Sequence, residues 1–289
     1  MTGVKTVGVL YHPKVGATRA KAGEIEAFLK SHGISVWSGS AWDTEWARAR
    51  LEETDLVVTV GGDGTILRAV QAVIPGTTPI AGVNMGKLGF MTELGSDEAL
   101  AKLPAILEGA GWIDERTMLR AELHAAGREE QVFDALNDVV VARGEVVRLI
   151  RVEADIDGQY LTTFKADGVI VATATGSTGY AVAAGGPIMY PSSRDLLLAP
   201  VAPHLSLSHA LVLPETVVIE LRLSSYHPAT LSVDGHVNLP MADGDSVTVR
   251  RSAHTARFLR IRPRESFYSS LEDRLKGKQG VPGRKSQDS

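Results

Sequence analysis

The apolar run Leu56-Val57-Val58-Thr59-Val60 is followed at once by Gly61-Gly62-Asp63-Gly64-Thr65 and then by a helix-like stretch from Ile66 to Ile74. A strand, a glycine turn and a helix start in direct succession commit this part of the chain to an α/β unit, with the turn at the carboxyl end of a strand. Glycine lets a backbone approach a ligand closely, and the first turn of a helix offers unpaired N–H groups, so the turn suits phosphates. A purely anion-holding loop would avoid negative charge. Asp63 therefore needs a substrate hydroxyl or a metal ion to act on, which points to phosphoryl transfer. The same residues also read as a plain strand-to-helix connection with Thr65 as N-cap. Two familiar glycine patterns are absent: Leu67 stands where a dinucleotide fingerprint needs glycine or alanine, and Leu88 follows Gly86-Lys87 where a Walker loop needs a hydroxyl.

The first third alternates strand and helix. Val4 to Tyr11 reads as a strand, and Thr18 to His32 as a helix with Ala22, Ile25, Phe28 and Leu29 on one face before Gly33 ends it. Further strands are expected at Ile34 to Trp37, Asp55 to Val60 and Pro79 to Val83, and a helix from Ser96 with a kink at Pro104. After about residue 115 the pattern becomes a series of β runs, including Gln131 to Ala142, Leu161 to Ala174, Ser246 to Arg250 and Arg257 to Ile261. Asp157-Gly158, Asp167-Gly168, Asp234-Gly235 and Asp243-Gly244 supply turn dipeptides. The expected fold is an α/β N-terminal domain with a parallel sheet (1–115) plus a mostly β, sandwich-like C-terminal domain (116–262). A C-terminal segment (263–289) is expected to end in a mobile tail from Lys276.

A net charge of −4 argues against nucleic acid as the main partner. The N-terminus lacks the apolar stretch of a signal peptide, no run is long and apolar enough to span a membrane, and there is no cysteine. Cytoplasmic location is the expectation, without a membrane or nucleic-acid partner. Arg260, Arg262 and Arg264 alternate and read as the solvated face of a strand.

Three segments are poorly explained as scaffold. Asn137-Asp138 places two polar side chains inside an apolar run, which is costly unless they are hydrogen-bonded or face a ligand. Thr173 to Pro187, TATGSTGYAVAAGGP, is rich in small residues and suits close approach of a flat or phosphorylated ligand, or else forms a flexible surface loop. Lys165 and Asp167 precede it; taken singly, each reads as a surface charge.

These segments together resemble the NAD kinase family. The resemblance rests on GGDGT at Gly61 to Thr65, NMGKLGF at Asn84 to Phe90, ND at Asn137-Asp138, KADG at Lys165 to Gly168 and TGSTGYAVAAGGP at Thr175 to Pro187. It implies an active site between the two domains and transfer of the terminal phosphoryl group of ATP, or of polyphosphate, to the 2′-hydroxyl of the adenosine ribose of NAD. By that resemblance Asp63 accepts the proton, and Gly61, Gly62, Gly64 and Thr65 form a phosphate loop. Asp63, Gly64, Asn137 and Asp138 surround the dinucleotide, with Arg68, Arg148, Lys165, Asp167, Thr178, Gly179, Tyr180, Ala181, Val182 and Ala183 at further binding positions. His236 stands where many members have glutamine.

The sequence shows no His, Asp and Glu cluster spaced as a metal cage, so Mg²⁺ is expected to arrive with ATP. Relatives are commonly dimers or tetramers, and a homo-oligomer is expected here. Two other readings stay open on sequence alone: a lipid kinase of the diacylglycerol or sphingosine type sharing GGDGT, and a dinucleotide sensor that has lost the chemistry.

Overall fold

The structure, a computed structural model, describes residues 3–86, 89–144, 148–204 and 207–278. It divides into two compact units, Met1–Asp114 with Arg257–Ser289 and Glu115–Ala256.

In the first unit the strands lie in the order Ser35–Ser40, Thr6–Tyr11, Leu56–Val60, Ile80–Asn84, all parallel. The short strand Leu94–Gly95 also joins Ile80–Asn84 in parallel, and Phe258, near the end of the strand Ser246–Arg260, pairs with Ile80. Leu56–Val60 is buried at every position, which explains why it reads as an unbroken apolar run: a parallel sheet is covered on both faces. The helix Gly16–Ser31 turns Thr18, Ala22, Ile25 and Leu29 onto a core that includes Val7, Val9, Val58 and Val83. Ala99–Leu107 adds Leu103 and Ile106 to that core and carries Pro104 within it. It begins three residues later than expected, because Glu98 closes a turn back onto the Gly95 amide at 3.0 Å instead of entering the helix.

The second unit is antiparallel. One sheet places Gln159–Ala166, Ile150–Ile156, Ile219–Leu223 and the first part of Ser246–Arg260 side by side. A second runs Leu211–Leu213, Leu196–Val201, Gly168–Ala172, Asp138–Arg143, Ala229–Val233, Val237–Met241. Side chains from both sheets, among them Val139, Val141, Val152, Phe164, Val169, Val171, Leu221 and Val247, share one core, as in a sandwich. The second sheet is also covered on its other face, where Val140, Ile170, Ala172 and Leu197 meet Ala174, Ala181 and Met189. This accounts for the continuous burial of Gly168–Ala172.

Several sequence expectations change. The run Leu161 to Ala174 is two strands in different sheets, and Asp167 sits at the switch between them, with no hairpin turn at Asp167-Gly168. Gln131–Ala135 and Asp138–Arg143 are likewise separate, so Asn137-Asp138 marks a break between strands and Asn137 does not interrupt one. Ser246–Arg260 is a single strand of 15 residues. Arg260 is buried, 6% exposed, against Glu93 and Asp114, while Arg262 bonds Glu98 and Arg264 stacks over the Trp112 ring. None of the three forms a bare solvated stripe. Lys276 to Lys278 complete the helix Leu271–Lys278; the remainder of the expected tail, 279–289, lies outside the described residues.

Candidate active site

The helix Asp63–Val73 begins one residue after the glycine pair, with Gly62 as its N-cap residue. Thr65 is not the cap. It lies inside the first turn, 1% exposed, and helical periodicity turns it inward beside Ile66, Ala69 and Val70. Its hydroxyl has no hydrogen-bond partner among the described residues, and its side chain packs so closely on Gly61 that a Cβ there would meet Thr65 Oγ1 at 2.2 Å. Gly61 is therefore glycine for the protein's own packing. Gly62 and Gly64 differ: both are exposed, and a Cβ at either would meet nothing within 4 Å. Gly62 has an ordinary extended φ of −104°. Packing does not demand glycine at these two positions, which leaves open space on the exposed side of the turn.

Asp63 is half-buried at the positive end of its helix, where a carboxylate is favoured. The Phe90 N–H donates to Asp63 Oδ2 at 3.0 Å, and the Met91 N–H donates to Oδ1 at 3.1 Å. Both oxygens are thus fixed, and each keeps a lone pair for another donor. Gly89 lies so close that a Cβ would stand 2.2 Å from Asp63 Oδ1. Asn84 and Thr92 shape the ends of this loop, Asn84 Oδ1 accepting from the Gly86 N–H and Thr92 Oγ1 from the Gly89 N–H. Lys87 and Leu88 of the same motif lie outside the described residues. The carbonyls of residues 89–91 are held by two buried arginines: Arg274 Nη1 donates to Gly89 O at 2.6 Å and Phe90 O at 3.1 Å, and Arg260 Nη1 to Met91 O at 2.6 Å. Arg68 follows Gly64 by one helical turn, its guanidinium 5.5 Å from the Trp42 ring centre.

In the second unit Asp234 organises the site. It occupies the left-handed turn between Ala229–Val233 and Val237–Met241, with φ 48°, followed by Gly235 at φ 70°. From there its carboxylate accepts the N–H groups of Leu136 (2.8 Å), Asn137 (2.7 Å) and Asp138 (3.1 Å), three consecutive amides at the strand break. Leu136 and Asn137 are held from the other side by Thr173, whose N–H donates to Asn137 O and whose hydroxyl donates to Leu136 O. Gly176 presses on the same carbonyl, where a Cβ would sit 2.0 Å from Asn137 O. Asn137 Oδ1 is buried and has no hydrogen-bond partner among the described residues, so it stands as an unpaired acceptor.

Burial, and then the Asp234 charge, raises the Asp138 carboxyl from its ordinary 3.8 to about 7. Burial raises Asp234 as well, opposed by its three amide donors, and those donors favour leaving the charge on Asp234 and the proton on Asp138.

The segment expected as a loop is instead folded: a 3₁₀ turn at Gly176–Thr178 leads into the short helix Tyr180–Ala183. Thr178 is buried with its hydroxyl turned back to Thr175 O, and Ala181 is fully buried in the core. Gly179, Tyr180, Val182 and Ala183 are at least partly exposed. His236 is half-buried next to the turn, its Nδ1 3.3 Å from Asp234 O. Lys165 is exposed on its strand, and Asp167 pairs with Arg143 at 2.9 Å. Arg148 is exposed just before Ile150–Ile156.

The structure thus brings Gly62, Asp63 and Gly64 together with the loop 89–91, and Asn137 and Asp138 together with Gly176, Gly179 and Asp234. Among the described residues no hydrogen bond or ion pair joins Lys165, Asp167 or Arg148 to Asn137 or Asp138. Sequence reasoning missed the two amides that grip Asp63, the arginines behind them, and the clamp by Asp234, whose only signal was a turn dipeptide. Among the described residues no three His, Asp or Glu side chains are grouped to hold a metal ion, and no helix is long and apolar enough to cross a membrane.

Comparison with known proteins accords with this arrangement. Residues 7–110 match the ATP-NAD kinase N-terminal domain and residues 136–261 the ATP-NAD kinase C-terminal domain. The chain is 47% identical over 275 residues to an NAD kinase of Dehalococcoides mccartyi strain CBDB1, covering 94% of this chain and 96% of that one. It is 42% identical over 273 residues to an NAD kinase of Chloroflexus aggregans, covering 94% and 99%. Among solved structures it resembles yeast NADH kinase complexed with NADH, with a TM-score of 0.82, 25% identity and coverage of 100% and 90%. It also resembles an NAD kinase from Archaeoglobus fulgidus in complex with ATP, with a TM-score of 0.76, 28% identity and coverage of 94% and 99%. On sequence and on fold, the chain belongs to the NAD kinase family.

Proposed function

We propose that this kinase transfers the terminal phosphoryl group of ATP to the 2′-hydroxyl of the adenosine ribose of NAD, with Asp63 as proton acceptor. The observation that carries the proposal is a carboxylate fixed on both oxygens by the Phe90 and Met91 amides, beside two glycines that the protein's packing does not require. A sugar hydroxyl donating to a free lone pair of Asp63 is aligned for attack on phosphorus. As the new O–P bond forms and the bond to ADP breaks, the hydroxyl becomes acidic and its proton passes to Asp63. A strong base is unnecessary, because the transition state is loose and alignment carries most of the catalysis.

The amides at Gly62 and Gly64 offer donors to phosphate oxygens on the open side of the turn. Asn137 Oδ1, an unpaired acceptor, takes a hydrogen bond from a nucleotide N–H or O–H, and Asp138 holds the same molecule. Arg68, Arg148 and Lys165 are the cations that offset substrate charge in a net acidic protein. Magnesium enters with ATP as the substrate complex and neutralises phosphate charge. ATP is the phosphoryl donor in this reading, and polyphosphate is the alternative donor. A cytoplasmic homodimer or homotetramer fits exposed sheet edges such as Leu211–Leu213, where Val212 is 53% exposed.

Purified protein with ATP, Mg²⁺ and NAD, coupled to an NADP-specific dehydrogenase, tests the reading, with diacylglycerol as a control acceptor. NADP formation is expected. Tight NAD binding without NADP would identify a sensor, and phosphorylation of diacylglycerol alone a lipid kinase.

A further inference from the structure

We infer that Arg274, on the helix Leu271–Lys278, is a positioning residue for Asp63, acting through the two peptide groups that lie between them. The inference rests on the reading of Asp63 as proton acceptor. Gly89 O and the Phe90 N–H belong to one peptide group, and Phe90 O and the Met91 N–H to the next. Arg274 Nη1 donates to the two carbonyls at 2.6 and 3.1 Å, while the two N–H groups donate to the two oxygens of Asp63 at 3.0 and 3.1 Å. Each peptide therefore has a cation at its oxygen and a carboxylate at its hydrogen, and both charges polarise it in the same sense. Chained hydrogen bonds of this kind reinforce one another in a low-dielectric setting.

The arginine is 8% exposed, and burial, followed by the nearby Arg260 charge, pulls its pKa down. Among the described residues its hydrogen bonds reach those two carbonyls and Ser270 Oγ (2.9 Å), and no carboxylate. A buried guanidinium without a directly bonded acid is costly unless a nearby negative charge compensates it. Here Glu93 and Asp63 both favour the charged guanidinium, and Asp63 is the one joined to it through the peptides. Arg260 fixes the third carbonyl, at Met91, but is itself bonded to Glu93 and Asp114. That leaves Arg274 as the cation whose bonds end on the Asp63 cradle.

A purely architectural arginine would change stability; a positioning one changes kcat. Arg274→Met is expected to lower kcat about 10- to 100-fold, with KM for NAD and ATP within about twofold of the parent, since a catalytic group displaced by about 1 Å loses on that order. Arg274→Lys, which keeps a cation facing the carbonyls, should recover at least about tenfold over Arg274→Gln, which keeps a donor and loses the charge. Full kcat in folded Arg274→Met, or equal kcat in the Lys and Gln variants, overturns the inference. Should Arg274→Met not fold, the Lys and Gln pair decides alone. Asp63→Ala serves as the control for the underlying reading. If it keeps parental turnover, that reading fails whatever Arg274 does; if it is inactive while the Arg274 variants match the parent, only this inference fails.

Discussion

Gly89→Ala tests the Asp63 cradle with the addition of one methyl group. The new Cβ would stand 2.2 Å from Asp63 Oδ1, 2.7 Å from its Cγ and 2.9 Å from Oδ2, all inside the 3.0 Å that real Cβ atoms respect. Relief to ordinary contact requires Asp63 and the 89–91 loop to separate by roughly 1 Å. The bonds from the Phe90 and Met91 amides, now 3.0 and 3.1 Å, would stretch to about 4 Å and cease to be hydrogen bonds. Each is charge-assisted and worth about 1.5–3 kcal/mol when made. Asp63 is half-buried, so water recovers part of that, and the net loss of stability is expected at about 1–3 kcal/mol.

The catalytic loss is larger in proportion. A carboxylate displaced by about 1 Å loses alignment with the hydroxyl, which costs on the order of 10²-fold in kcat. Initial rates from NADPH-coupled detection, with NAD and ATP each varied, give kcat and both KM values; thermal unfolding gives the stability. A folded Gly89→Ala protein with parental kcat would refute the argument that this carboxylate is held where the chemistry happens.

Asp63→Asn should keep equilibrium binding of NAD, measured by calorimetry, while kcat falls at least about 10²-fold. The swap is not silent structurally, because the new NH₂ must face one of two backbone N–H donors, and the unfolding free energy should fall by about 1–3 kcal/mol. Gly64→Ala should separate the two properties: it replaces a glycine near the start of a helix in open space, raising stability by up to about 1 kcal/mol, while NAD or ATP KM rises. A variant both more stable and kinetically unchanged would show that the open space admits no ligand. The Asp138 carboxyl, raised from 3.8 to about 7, keeps a proton in the folded state that the unfolded chain has shed. Its contribution to stability is complete below about pH 4 and lost as pH rises through about 7, at up to about 1.4 kcal/mol per pH unit. Denaturant titrations across that range should show the slope, and Asp138→Asn should flatten it.

The legible parts of the fold were those where one physical requirement acts locally. A strand buried on both faces has to be apolar throughout, so Leu56–Val60 announced itself, and a helix resting on a core has to repeat its apolar residues, as Ala22, Ile25 and Leu29 do. The change from alternating helices and strands to serial β runs likewise revealed the α/β and antiparallel β parts. Asp167 was unreadable because both flanking strands favour extended backbone, and nothing local says that one sheet ends at Ala166 and another begins at Gly168. Arg260 looked solvated because its acids, Glu93 and Asp114, are 167 and 146 residues away in sequence.

The site divides in the same way. Asp63 stood out against its glycines, whereas the amides that hold it are backbone groups without a residue signature. Their only trace is Gly89, where no side chain fits. The reading of Thr65 as a cap fails because the helix begins at Asp63, two residues earlier, which turns the threonine inward.

The grip of Asp234 on the amides of 136–138 spans 96 to 98 positions of chain. Contacts so distant in sequence form late, after the loops between them have closed. Until the turn at Asp234-Gly235 has docked, the amides of 136–138 lack their shared acceptor, and the bonds from Thr173 are left to orient the strand break. On the proposed reading of Asn137 and Asp138 as nucleotide contacts, affinity for the dinucleotide would report that this unit has finished folding, and a nucleotide that binds only the folded form would stabilise it by mass action.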